Sequence, residues 1–271
     1  EDHNNLLGDS LGEEKSRKIQ FPPQLKQMIE KASSDVEGFW GKVAKELHWF
    51  EPWDRVYEEE EYPFFKWFVG GKTNLSYNCL DYQVFKKNRG DKAAIIWESA
   101  ETGETRVLTY RELLREVERF AAALKALGVE KGDRVTICMP MVPEAAIAML
   151  ATTRIGAIHS VVFAGFGFKA VGDRVADAGS KVLVTADVGY RRGKAVNLKE
   201  IVDKALEMPN EVQKVVVLRR GEAEPLMKDG RDIYWEEALD RGRGINADVV
   251  PMESNELSFI LHTSGTTAKP K

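Results

Sequence analysis

The sequence predicts an α/β protein whose parallel sheet is covered by helices on both faces. Two observations carry this expectation. From Gly90 onward, short runs rich in β-branched and apolar residues, such as "DRVTICM", "KVLVTAD" and "KVVVL", show little polar alternation, as strands buried on both faces do. Each run is followed by a stretch with apolar residues at helical spacing, which is the rhythm of βα units feeding a parallel sheet. A chain of 271 residues with 43% hydrophobic residues is long enough to bury such a core.

The elements follow in order. Residues 1–90 form an aromatic-rich, mixed-charge extension, "FWGKVAKELHWFEPWDRVYEEEEYPFFKWFVGGKTNLSYN" at its centre, with helical stretches but no βα repeat. It is expected to pack on a core formed by residues 91–271. In that second part "KAAIIWE" and "TRVLTY" read as strands, and Thr109 with Glu112 makes a capping box that starts a helix. Leu113, Val117, Phe120, Leu124 and Leu127 form its apolar stripe, and Gly128 ends it. "DRVTICM" is the next strand, and Pro143 opens a helix that closes by Gly156. "HSVVF", a helix over 169–178, "KVLVTAD", a helix over 198–208 and "KVVVL" complete the series, and Leu257–His262 supplies a last strand.

Composition excludes several classes of function. The 39 basic and 43 acidic residues give a net charge of −4, so no general positive field attracts nucleic acid or an anionic membrane. Any anion site must be local. Cys79 and Cys138 show no paired spacing, which fits a reduced, cytoplasmic protein better than a disulfide framework or a zinc site. The acidic opening "EDHNNLLGDSLGEEK" is no secretory signal, and the most apolar region, around 145–168, is broken by Arg154, His159 and glycines. The chain is therefore read as soluble; the sequence assigns no oligomeric state.

Three stretches could carry chemistry. Thr263, Ser264, Gly265, Thr266, Thr267, Lys269 and Lys271 follow the last strand, and backbone N–H groups in a glycine-containing turn, hydroxyls and ammonium groups together suit a polyphosphate. It is not a Walker A loop, because Pro270 rather than glycine precedes Lys271. Taken alone, the stretch reads more simply as a polar surface turn. The second stretch is "VVFAGFGFKAVGDRV", where Gly165, Gly167 and Ala170 spell G-x-G-x-x-A between a strand and a helix, with Asp187 about twenty residues on, as a dinucleotide site requires. Phe166 and Phe168 crowd that turn, which reads equally as a tight strand-to-helix connection. The third stretch gathers Arg191, Arg192 and Lys194 around Gly193 just past a strand, where open α/β sheets bind ligands and arginine forks suit phosphate oxygens. Alone, it is more simply a solvated basic loop.

Taken in order, these stretches resemble the N-terminal part of the AMP-forming acetyl-CoA synthetases, members of the adenylate-forming superfamily. The resemblance rests on "TSGTTAKPK", which matches the superfamily's phosphate loop, and on "WFVGGKTNLSYNCLD" and "VVFAGF...YRRGK", which are more particular to acetyl- and propionyl-CoA synthetases. It implies that 91–271 is the first part of the large N-terminal domain of an adenylate-forming enzyme, ending within the phosphate loop. It further implies that Thr263–Lys271 handle the phosphates of ATP, that Arg191, Arg192, Gly193 and Lys194 contact the nucleotide end of coenzyme A, and that Phe163 and Gly165 lie near the same cofactor. The implied reaction uses Mg²⁺-ATP, a short carboxylate and coenzyme A, with no nucleophilic side chain in this stretch. Adenine, magnesium and acyl-pocket segments are expected beyond Lys271, so the chain alone is not expected to complete the reaction. One departure stands out: Ala268 occupies a position usually held by glycine, and if that position needs positive φ its Cβ costs about 1 kcal/mol or more. The alternatives are an NAD(P)-dependent oxidoreductase built on the G-x-G-x-x-A turn, and a non-catalytic scaffold.

Overall fold

The computed structural model describes residues 22–263. Two compact units divide between Glu46 and Leu47. The first contains α1 (Pro23–Ser34), which opens on proline, and α2 (Val36–Ala44). Asp35 caps α2, its carboxylate accepting the Gly38 N–H at 3.0 Å.

The second unit opens with an antiparallel hairpin, β1 (Arg55–Glu61) and β2 (Phe64–Val69), then β3 (Lys72–Thr73) and α3 (Leu75–Cys79). Trp49, Trp53 and Phe68 pack as a ring cluster with centroids 4.9–5.3 Å apart. Another antiparallel pair, β4 (Ala93–Glu98) and β5 (Thr105–Thr109), leads into α4 (Tyr110–Ala126). The predicted capping box is present: Thr109 Oγ1 accepts the Glu112 N–H at 3.2 Å, and Glu112 accepts the Thr109 N–H at 2.8 Å. Gly128 ends the helix at φ 84°, a conformation that favours glycine.

The βα series follows: β6 (Arg134–Cys138), α5 (Pro143–Arg154), β7 (Ile158–Val161), α6 (Phe168–Ala178) and β8 (Val182–Ala186). Then come the hairpin β9 (Val188–Arg191) and β10 (Lys194–Asn197), α7 (Leu198–Ala205), β11 (Lys214–Leu218), β12 (Asp232–Tyr234) and α8 (Trp235–Arg241). β13 (Met252–Glu253) pairs with β3, and β14 (Phe259–Ile260) is the last strand described.

Six strands form one parallel sheet in the order β12-β11-β8-β6-β7-β14. Alternate residues of each strand face opposite cores. Val182 and Val184 of β8 and Val216 of β11 meet α4, α5 and α8, where Phe120 stacks on Trp235 with centroids 3.9 Å apart. Leu183, Val215 and Val217 point the other way, onto α6 and α7. The sheet is thus covered on both faces, as the unalternating apolar runs predict. Two differences concern the ends of the series. The last strand is confined to Phe259–Ile260 and, among the described residues, pairs with β7 alone, and α7 stops at Ala205 rather than at Met208. No helix among the described residues is long and apolar enough to cross a membrane.

Candidate functional site

From β6 the chain passes to β7 on one side and then crosses to β8 on the other, so β6 lies where the strand order reverses. Open α/β sheets bind ligands outside the carboxyl ends of their strands at such a point. Here that place is a cavity of about 500 Å³. Met139–Met141 line it from the end of β6, Phe163–Gly165 from the end of β7, and Gly189–Arg191 from β9, which follows β8 almost directly. Trp97, Leu198 and Ile201 add apolar wall, and the Trp97 indole N–H donates to the Met141 carbonyl at 2.7 Å.

The structure therefore brings Phe163, Gly165 and Arg191 together. The Arg191 guanidinium lies over the Phe163 ring, 5.9 Å from its centroid, a cation–π arrangement. Gly165 sits where a Cβ would fall 2.3 Å from the Phe163 ring and 3.0 Å from the Arg191 guanidinium. A side chain there would displace both from the mouth of the cavity. Arg192, Gly193 and Lys194 do not line it; they form the tip of the β9–β10 hairpin beside it.

That hairpin replaces the basic loop read from the sequence. Arg191 pairs with Lys194, and the two turn residues have φ of 52° at Arg192 and 70° at Gly193, the pattern of a type I′ turn. Gly193 adopts this conformation freely, whereas Arg192 pays for its Cβ with about 1–2 kcal/mol. The offset comes from Glu101, in the turn between β4 and β5. Its carboxylate accepts the N–H of Arg192 at 2.8 Å and that of Gly193 at 2.6 Å. These two bonds, Gly193's first, hold the Glu101 carboxyl below the usual carboxylate range. A carboxylate with a lowered pKa contributes while ionised, so the clamp is complete above the ordinary value of 4.5 and is lost as pH falls through the lowered one. The amide proton resonances of Arg192 and Gly193 are expected to move upfield on acidification below that range, and to be already displaced at neutral pH in Glu101→Gln. Resonances indifferent to both changes would remove Glu101 from the hairpin.

The G-x-G-x-x-A turn is not built for a dinucleotide. Gly167 caps α6 with ordinary φ and ψ of −72° and 163°, and a Cβ there would meet open space, so no close backbone approach demands glycine. Asp187, the acidic residue at the fingerprint distance, is 2% exposed and turned inward. Its carboxylate accepts the N–H groups of Val188 at 2.6 Å, Arg220 at 2.8 Å and Gly221 at 3.0 Å. A buried carboxylate whose two oxygens both accept from backbone donors of its own chain is not presented to a ribose. Cys138, at the end of β6, is equally unavailable for chemistry: burial pushes its thiol up to about 12.

Of the predicted phosphate-loop residues, Thr263 is the last one described, just past β14. Ser264, Gly265, Thr266, Thr267, Lys269 and Lys271 lie outside the described residues, as does Ala268. β14 runs parallel to β7, with Phe259 stacked on His159 at 5.6 Å, and burial lowers the His159 pKa to about 4, so that ring is neutral at physiological pH. A second hollow, about 390 Å³, opens beside Arg154, whose guanidinium is already committed to Asp81 and Glu118.

The profile described as AMP-binding enzyme matches residues 82–271. The chain belongs to this AMP-binding enzyme family. Ahead of that match, residues 25–79 fit the profile of the acetyl-coenzyme A synthetase N-terminus. Among relatives, the chain is 52% identical over 250 residues to the 3-hydroxypropionyl-coenzyme A synthetase of Sulfurisphaera tokodaii, covering 91% of this chain and 37% of that protein. It is 53% identical over 244 residues to the acetyl-coenzyme A synthetase of Rubrobacter xylanophilus, covering 90% of this chain and 37% of that protein. Among solved structures, acetoacetyl-CoA synthetase from Streptomyces lividans superposes with a TM-score of 0.79 at 27% identity, covering 89% of this chain and 36% of that one. The chain thus spans 37% of the length of the first two relatives. Nothing in these comparisons supports the oxidoreductase alternative.

Proposed function

We propose that this chain carries the coenzyme A site and the entry to the phosphate loop of an AMP-forming acyl-CoA synthetase acting on a short carboxylate. The observation that supports this most is the convergence of Phe163, Gly165 and Arg191 on one cavity at the switch point of the sheet. A nucleotide-bearing cofactor needs an apolar surface for its base and cations for its phosphates, and the cavity has both, in Met139, Met141 and Phe163 and in Arg191.

In the proposed reaction the carboxylate oxygen attacks the α-phosphorus of Mg²⁺-ATP and pyrophosphate leaves, giving an acyl-adenylate. The thiol sulfur of coenzyme A then attacks the acyl carbon, AMP leaves, and the thiol proton passes to solvent or a base. Thr263, Ser264, Gly265, Thr266, Thr267, Lys269 and Lys271 stabilise the charge that gathers on the leaving pyrophosphate. Arg191, Arg192 and Lys194 hold coenzyme A by its phosphates, which is a positioning role. A short acid is favoured because the relatives carry acetyl, 3-hydroxypropionyl and acetoacetyl in their names. Free cysteines at 79 and 138 suit the cytoplasm.

The test uses a protein of its relatives' length that carries this chain. Replacing both Arg191 and Lys194 with alanine is expected to raise the KM for coenzyme A about tenfold or more while leaving carboxylate-dependent pyrophosphate exchange intact, since that half-reaction needs no thiol. The rise should shrink as salt increases, because exposed charges are screened over about 10 Å at ordinary ionic strength. An unaltered KM would take this hairpin out of coenzyme A binding.

A further inference from the structure

The cavity holds a second guanidinium that the resemblance does not assign. Arg220 follows β11 and lines the wall together with Arg191. Its backbone is fixed, because the N–H groups of Arg220 and Gly221 both donate to the buried Asp187 carboxylate. The same carboxylate accepts the N–H of Val188, the first residue of the strand that carries Arg191. Asp187 therefore ties together the bases of the two arginine-bearing segments. The Arg220 guanidinium lies over the Tyr190 ring, 5.4 Å from its centroid, much as Arg191 lies over Phe163. Its neighbour Arg219 is paired with Glu224 at 2.8 Å, whereas among the described residues neither Arg220 nor Arg191 has a carboxylate within ion-pairing distance. Two carboxylates, Glu98 and Glu101, also line the cavity, and that of Glu101 is held by the hairpin amides.

We propose that Arg220 is a phosphate-binding residue of this cavity, acting with Arg191 on a nucleotide that carries more than one phosphate group. The inference rests on the coenzyme A reading of the site and sharpens it. A guanidinium parked on an aromatic face loses little by turning its fork to a phosphate, where two parallel N–H donors match two oxygens. Two such cations on neighbouring segments of fixed backbone make the cavity favour a nucleotide phosphorylated at two positions over the bare nucleoside. The nucleotide end of coenzyme A, an adenosine with a 3′-phosphate and a 5′-diphosphate, has this chemistry.

The experiment titrates adenosine 3′,5′-bisphosphate and adenosine against the protein at its full length, in the unaltered form and in Arg220→Gln, Arg220→Lys and Arg191→Ala. Arg220→Gln keeps the stem and removes the charge. It is expected to weaken bisphosphate binding about tenfold and to flatten its salt dependence, with adenosine binding and pyrophosphate exchange unchanged. Arg220→Lys should recover part of the loss. Equal weakening of adenosine would mean that Arg220 acts only by packing on Tyr190, and would overturn the proposal. Unchanged bisphosphate binding in Arg220→Gln alongside weakened binding in Arg191→Ala would overturn Arg220's role and leave the coenzyme A reading standing. Absence of bisphosphate binding in the unaltered protein would overturn both.

Discussion

Asp81→Ala is expected to destabilise the protein by about 3–5 kcal/mol, the cost of leaving a buried charge without its partner. Arg154, at the end of α5, is 4% exposed, and its guanidinium forks onto the Asp81 carboxylate at 2.7 and 3.1 Å. It also donates to Glu118 at 3.2 Å and to the Ala247 carbonyl at 2.9 Å. Without Asp81 the guanidinium keeps only the Glu118 carboxylate, which is 45% exposed and correspondingly weaker as a partner. Asn74 bonds nearby, its side-chain amide donating to the carbonyls of Thr153 at 2.9 Å, Arg154 at 3.3 Å and Val250 at 2.9 Å. The loss should therefore loosen the segment between β3 and β4 from α5 and show as a lower urea midpoint in tryptophan fluorescence. The double substitution Asp81→Leu with Arg154→Met should recover most of the stability, because it removes both charges at once. A single variant as stable as the unaltered protein would mean that water reaches Arg154.

What the sequence makes legible is local. KVVVL corresponds residue for residue to β11, and the capping box of Thr109 and Glu112 and the pair Pro143 and Gly156 mark helix ends, because each signal acts within a few residues of itself. The β9–β10 hairpin is not legible in the sequence, because its strands are four residues long and its turn puts arginine, not asparagine or aspartate, in the first left-handed position. Glu101 lies in "ESAETGET", a charged turn like any solvated one, and its partner Gly193 is 92 residues away. Asp187 shows the converse. It stands at the right distance for a ribose ligand, yet spacing says nothing about which way a carboxylate turns, and three backbone donors turn it inward. Gly165 and Arg191 stand out in the sequence pattern itself, whereas Phe163 and the assignment of all three to coenzyme A come from the resemblance. Arg220 required the fold, since only the order of the sheet strands brings the end of β11 beside β9.

The proposed adenylation chemistry is tested most directly by carboxylate-dependent exchange of labelled pyrophosphate into ATP, in a protein of its relatives' length that carries this chain. Exchange should require a short carboxylate, proceed without coenzyme A, and fall roughly a hundredfold in Lys271→Ala. Losing one preorganised charge aimed at the leaving group costs about 3 kcal/mol of transition-state stabilisation. The fall should appear in the maximal rate rather than in the KM for the carboxylate, because the role proposed for Lys271 is to oppose charge that gathers as pyrophosphate departs. Exchange that is carboxylate-dependent and sensitive to Lys271 is the predicted result. A protein of that length with no exchange at saturating ATP and acetate, 3-hydroxypropionate or acetoacetate, or with exchange indifferent to Lys271→Ala, would contradict it.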